Sequence, residues 1–256
     1  MSNVLYEKRD GVAYVTLNRP EAMNAIDEAT NAELEEVWCD FRNDDAVDVA
    51  ILTGSGQAFC AGADLKTFIP KWENANMLDV RKNIPKGLGG GLTRGQHRLY
   101  KPIIAAINGY AIGAGLEIAL ACDIRIASEN AKFGVFEVRH GLHQGDGGLV
   151  RLVAIAGIGV ALDLTLTGRE ISAQEALSLR LVTRVVPSEN LMQAAEETAQ
   201  MIRRNSRNAV QSAKETIFEL IGRPLDDALR LEALYGYSSL GDFSDARERL
   251  AKFIKK

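Results

Sequence analysis

Cysteine is scarce in this chain. Cys39, Cys60 and Cys122 are an odd number without metal-ligand spacing, so neither a disulfide framework nor a cysteine metal site is predicted. They read as buried free thiols in a reducing compartment. Excess basic charge is missing as well. A net charge of −4 and a sequence pI of about 5.6 offer no electrostatic footprint for nucleic acid. The first residues, MSNVLYEKRDG, lack the apolar core of a secretion signal. The longest apolar tract, Ile103 to Cys122, is interrupted by Asn108, Glu117 and several glycines, which suits a buried core better than a bilayer span. These absences describe a cytoplasmic protein with no nucleic-acid or membrane partner.

What is present is ordinary for a globular enzyme. The 256 residues, 46% hydrophobic and 25% charged, suffice for one large domain or two small ones. VLYEKR and VAYVTL flank Asp10-Gly11, a strong hairpin signal. Ile26 to Phe41 has apolar residues at helical spacing, with Asp27 as its cap, and Val47 to Leu52 reads as a buried strand. Residues 67–95 hold no sustained period, which suits a binding loop or a linker. Leu92 to Tyr100 is expected to return to helix. Later strands are expected at Ile124–Ala127 and Val182–Val186, and helices from Leu149 and from Ser172 to Leu179. From Glu189 onward helical spacing dominates, broken near Gly222-Arg223-Pro224.

The most informative stretch is Lys101 to Asp123. Ile103 to Ile107 is a β-branched apolar run, Asn108-Gly109 breaks it, and Gly113-Ala114-Gly115 carries the backbone through a tight passage. A helix-compatible run begins at Leu116 with one acid, Glu117, near its start. Free N–H groups at a helix start stabilise an oxyanion, and the helix dipole adds to them. By itself this pattern names no reaction. A second small-residue passage, Ala58 to Lys66 around Gly62, would equally serve as a plain strand-to-helix turn.

NRPEAMNA, AFCAGADLK, NGYAIGAGLEIALACD, FGVFEV and LTGREISAQEAL, in that order, resemble the crotonase, or enoyl-CoA hydratase/isomerase, superfamily. The resemblance runs from Val4 to about Lys256. It implies an α/β (α+β) fold, a spiral of ββα units over residues 1–190 carrying the active site. A helical region over 191–256 would serve oligomerisation and coenzyme A contacts. It further implies a homotrimer or a hexamer built as a dimer of trimers. Periodicity alone supports only a mixed α/β domain.

The same resemblance implies roles for particular residues. The N–H groups of Ala63 and Ala114 would hold a thioester oxygen, Glu117 would serve the attacking water, and Glu137 the α-proton. Gly145 would make a close water or backbone contact. Ala22, Met23, Ala61, Asp64, Leu65, Lys66, Phe253 and Lys256 would contact coenzyme A, which belongs to the substrate, so no separate cofactor or metal is implied. The chain departs from many hydratases at Gly141–Gly148, where His143, Gln144 and Asp146 replace a proline-glycine passage. His143 and Asp146 are candidates for the acyl pocket and for a His–Asp acid–base pair, and His140 lies nearby. The expected activity is hydration of a 2-enoyl-CoA. Isomerisation, thioester hydrolysis, carbon–carbon cleavage and a non-catalytic coenzyme A- or RNA-binding role remain as alternatives.

Overall fold

The computed structural model describes residues 2–68, 70, 75–83, 86–95, 98–238 and 243–254. The chain opens with β1 (Val4–Arg9) and β2 (Val12–Leu17), paired antiparallel across Asp10-Gly11. Both turn residues have positive φ, 46° and 69°, the twist a two-residue hairpin needs. Helix α1 (Glu28–Asn43) follows, and the Asp27 carboxylate caps it by accepting from the Thr30 N–H at 2.8 Å, as its sequence predicts.

Next come β3 (Val49–Gly54), β4 (Ala58–Cys60) and α2 (Met77–Asn83), then β5 (Ile103–Ile107), β6 (Tyr110–Ile112) and α3 (Ala114–Ala121). They lead to β7 (Ile124–Ser128), β8 (Lys132–Gly134), α4 (Gly148–Ala156), α5 (Ile158–Thr167), β9 (Glu170–Ser172), α6 (Ala173–Ser178) and β10 (Arg184–Val186). The chain closes with α7 (Leu191–Arg203), α8 (Arg207–Leu220), α9 (Leu225–Ser238) and α10 (Phe243–Ile254).

The strands form two sheets, one ordered β1-β2-β3-β5-β7-β10 and the other β4-β6-β8-β9. From β3 to β8 the chain alternates between them, after which β9 stays in the small sheet and β10 returns to the large one. Each turn gives one strand to the large sheet, one to the small sheet, and then moves on. Because each turn repeats the same path, β3, β5 and β7 stack in parallel, and so do β4, β6 and β8. This is the spiral of ββα units that the resemblance implied. The core lies between the large sheet and α1, with Leu34, Trp38 and Phe41 packed against strand residues such as Val15 and Leu52. The Trp38 indole N–H reaches Gly89 O at 2.8 Å, tying the segment before β5 to the same core. On the sheet's other face Leu191, Ala195 and Ala199 of α7 cover Val49, Ile51 and Ile104. Burying each such large aliphatic side chain stabilises the fold by about 1.5–3 kcal/mol.

The structure differs from the sequence reading in several places. Leu92–Tyr100 is not a helix among its described residues: a single 3-10 turn, Leu92–Arg94, ends at Gly95 with φ 63°. That left-handed conformation stops the turn from continuing. The short helix α2 lies in the stretch where no period was found. The central helix starts at Ala114, two residues before the predicted Leu116. The predicted strand Val182–Val186 pairs only over Arg184–Val186.

Candidate active site

Strands β4 and β6 are parallel neighbours, with Cys60 opposite Ala111. The turns that follow them therefore lie side by side. A Cβ placed on Gly62 would sit 3.1 Å from Ile112 O and 3.4 Å from the Ala114 nitrogen. This juxtaposition brings Ala63 and Ala114 to one place. Ala114 is the first residue of α3, so its N–H has no carbonyl in its own helix. Ala63 bridges to Ile26, but the two bonds of that bridge run from Ile26 N to Gly62 O and from Asp64 N to Ile26 O, each 2.8 Å. Among the described residues no backbone acceptor takes either N–H. Two preset donors of this kind suit an oxygen that gains negative charge during a reaction.

Glu117 lies in the first turn of α3 and is only 2% exposed. Its Oε1 accepts from the backbone N–H groups of Asp146 and Gly148, both at 2.9 Å. Burial pushes its carboxyl up to about 7, against the downward pull of the Gly148 N–H. At neutral pH this acid therefore exchanges a proton readily, as a general acid–base group must. Glu137 opens the 3-10 turn Glu137–His140 after β8 and is half-buried. Its carboxyl is also pushed up by burial, and Oε2 is buried without a hydrogen-bond partner. Both acids border Gly113, whose carbonyl accepts from the Glu117 N–H at 3.1 Å. A Cβ there would lie 3.1 Å from Glu137 Oε1, and Gly113, at φ 56°, is the residue from which α3 springs. A side chain at 113 would face both strain and collision.

The departing passage Gly141–Gly148 proves to be the cradle of Glu117. Arg94, from the short turn before β5, forms an ion pair with Asp146 at 3.2 Å and donates to Gly145 O. Arg151 of α4 donates to Asp146 O at 3.4 Å and to Thr93 O at 2.7 Å. His143 is exposed, and its Nδ1 meets Gln144 O at 2.8 Å. His143 and Asp146 thus do not form the acid–base pair that their closeness in sequence allows. His140 is exposed as well. Gln144, by contrast, is 4% exposed, and its amide nitrogen donates to Gly113 O at 3.4 Å. The sequence reading attached no role to Arg94 and Arg151, since nothing in a local pattern relates position 94 to position 146.

The residues matched to coenzyme A gather beside the Ala63 turn. The Ala61 N–H donates to Met23 O at 3.0 Å, which places Ala22 and Met23 next to Ala61. Met23 and Leu65 are exposed at 39% and 58%, and Lys66 is exposed too. Asp64 is engaged inside the protein: it pairs with Arg19 at 3.1 Å and accepts from the Lys66 N–H at 2.9 Å. Its carboxylate orders the turn. The Phe253 side chain and Lys256 lie outside the described residues. Among those described, no cluster of three His, Cys, Asp or Glu could hold a metal ion, and no helix is long and apolar enough to cross a membrane.

Residues 7–256 match the family model described as enoyl-CoA hydratase/isomerase. The chain belongs to the enoyl-CoA hydratase/isomerase family. Among relatives in this family, the short-chain-enoyl-CoA hydratase of Clostridium acetobutylicum is 40% identical, the match covering 100% of this chain and 96% of that one. The (E)-benzylidenesuccinyl-CoA hydratase of Thauera aromatica is 41% identical over 98% of this chain and 94% of its own length. In three dimensions, the crystal structure of an enoyl-CoA hydratase from Bacillus anthracis superposes with a TM-score of 0.88 at 36% identity, covering 99% of this chain and 96% of that one. The crotonase resemblance and the fold that it implied are thereby borne out.

Proposed function

We propose that this chain catalyses the reversible addition of water to a trans-2-enoyl-CoA, giving a 3-hydroxyacyl-CoA. The observation that carries this reading is two burial-raised acids, Glu117 and Glu137, both bordering Gly113 beside the free N–H groups of Ala63 and Ala114. The relatives named as hydratases support it.

The chemistry follows from these groups. The thioester oxygen accepts from the two N–H groups. As water attacks the β-carbon, electron density moves through the α-carbon toward that oxygen, and fixed donors stabilise the enolate-like state more than the ground state. Glu117, ionised, takes a proton from the attacking water. Glu137, protonated, delivers a proton to the α-carbon. The pair therefore carries one proton throughout, on Glu137 before hydration and on Glu117 after it. Dehydration runs the same path backward. Each acid is expected to contribute about 10²–10⁴-fold.

Coenzyme A lies along Ala22, Met23, Ala61, Leu65 and Lys66, with the Lys66 ammonium set against phosphate charge and with Phe253 and Lys256 contributing from the C-terminus. Gly145 contributes a close backbone contact. The reaction needs no further cofactor, because coenzyme A enters as part of the substrate. The C-terminal helices α8 to α10 carry the contacts of a trimer or a dimer of trimers, since Ile221, Leu225 and Leu234 stand 63%, 72% and 64% exposed. The buried free thiols Cys60 and Cys122 suit a cytoplasmic setting.

The test is turnover of a panel of enoyl-CoA thioesters by the purified protein, with product mass read alongside. A gain of one water that disappears in Glu117→Gln and Glu137→Gln is the expected result. Full turnover in both variants would overturn the mechanism, and an isomerised product without added water would overturn the reaction.

A further inference from the structure

Gln144 stands between the two acids. Its amide nitrogen donates to Gly113 O at 3.4 Å, and because a carbonyl only accepts, that contact fixes which end of the amide is which. Gly113 is also the residue against which the Glu137 carboxylate lies. The other end points the opposite way. A Cβ on Gly148 would lie 2.1 Å from Gln144 Oε1 and 2.8 Å from Glu117 Cγ, so the amide oxygen and the Glu117 stem share one glycine-sized space. Gln144 Oε1 is buried with no hydrogen-bond partner, as is Glu137 Oε2. Two orphaned buried acceptors are costly in a folded protein and mark places where a proton or a ligand donor is expected.

We propose that Gln144 is a positioning residue that biases where the shared proton rests, its nitrogen end set toward Glu137 and its oxygen end toward Glu117. An N–H facing a carboxylate favours the ionised form, and a carbonyl oxygen facing a carboxyl favours the protonated form. The amide therefore widens the difference between the two acids, with Glu137 ionised and Glu117 protonated at rest, the distribution from which dehydration starts. The other charged groups nearby do not duplicate this. Glu137 faces His140 of its own turn, His143 of the following loop and Glu117 of α3, while Glu117 faces Asp146 and Arg151. Among these, only Gln144 carries a donor and an acceptor aimed at opposite acids. The inference rests on the hydratase reading for its catalytic meaning, but not for its physical test.

That test is a pH titration of the carboxyl stretch by difference infrared spectroscopy, with bands assigned from Glu117→Gln and Glu137→Gln. In Gln144→Met the Glu137 band is expected to ionise at higher pH than in the parent, closing the gap to Glu117. An unmoved Glu137 band overturns the proposal. This readout needs no turnover, so a protein that fails to hydrate any enoyl-CoA yet shows the shift would sink the hydratase reading and leave Gln144 in place. Where turnover is measured in the dehydration direction, in which Glu137 takes the α-proton, Gln144→Met should lower kcat about tenfold with little change in KM and move the acid limb of the profile upward. Gln144→Glu guards against a folding defect. Protonated, it keeps a donor and an acceptor, so its activity should approach the parent's at acid pH and fall as it ionises. A profile parallel to the parent's at every pH would overturn the proposal.

Discussion

The backbone N–H of Asp146 donates to Glu117 Oε1 at 2.9 Å, while the Asp146 carboxylate turns to Arg94 at 3.2 Å. The side chain that drew attention in the sequence is thus not the part of the residue that touches the acid. Its charge still acts on Glu117 from nearby, helping to raise it behind the larger effect of burial. Main-chain amides hold Glu117 in position and pull its proton affinity down, while burial and the neighbouring charges raise it.

Asp146→Asn should accordingly keep most activity. An ion pair as exposed as Arg94–Asp146 contributes about 0–1 kcal/mol, so kcat is expected to fall by no more than roughly fivefold. In the dehydration direction, where Glu117 supplies the proton, the alkaline limb of the pH profile should move slightly downward as the neighbouring negative charge goes. A loss on the order of 10²-fold or more would instead make Asp146 an acid–base group. Steady-state kinetics across pH separates the two.

Gly113→Ala places a Cβ 3.1 Å from Glu137 Oε1 on a backbone with φ 56°. It should displace Glu137 and the Ala114 N–H together. A loss of about 10²–10³ in kcat is expected, the scale of one removed oxyanion donor. A thermal melt run beside the assay tells this from global unfolding. An active, stable Gly113→Ala would remove Gly113 as the hinge of the site.

The position of Glu117 costs stability, and the sign can be worked out. Its folded value is raised from 4.5 to about 7 by burial, so between those pH values the folded state binds more protons than the unfolded one. Stability then falls as pH rises through this window, and the penalty is complete above it. The size is about 3 kcal/mol at 1.36 kcal/mol per pKa unit. Glu117→Gln should abolish hydration yet melt higher than the parent at pH 8, by roughly 5–10 °C. The gain should vanish toward pH 5. Equal melting temperatures at pH 8 would contradict it.

Ile221 and Leu229 are 63% and 52% exposed near the junction of α8 and α9. With this face as the proposed subunit interface, Ile221→Asp with Leu229→Asp should lower the mass of the proposed trimer or hexamer to that of a monomer. Light scattering after size exclusion reads the mass directly. An unchanged oligomer would move the interface elsewhere.

Much of the fold was legible because it rests on local chemistry. The Asp10-Gly11 turn, the Asp27 cap and the β-branched run at β5 each declare themselves within a few residues. The small sheet did not. Its strands β4, β6, β8 and β9 are three residues each, too short for an alternating pattern to show. They exist because the spiral brings them together. The site divides the same way. Glu117, Glu137, Ala63 and Ala114 were found through ordered motifs, and the structure brings them into one place. Arg94 and Gln144 needed three-dimensional contact, because the meaning of each lies in a partner tens of residues away: Asp146 for Arg94, Gly113 for Gln144.

Gly145 O and Asp146 O receive the arginines, while Asp146 N and Gly148 N hold the acid. Every one of these four attachment points is a peptide group, so the side chain at 146 takes part in none of them. The Glu117 carboxylate can therefore stay in place while the side chain at 146 changes. Substitution at 143 or 146 can change the charge and bulk beside Glu117 without removing the amides that hold its carboxylate.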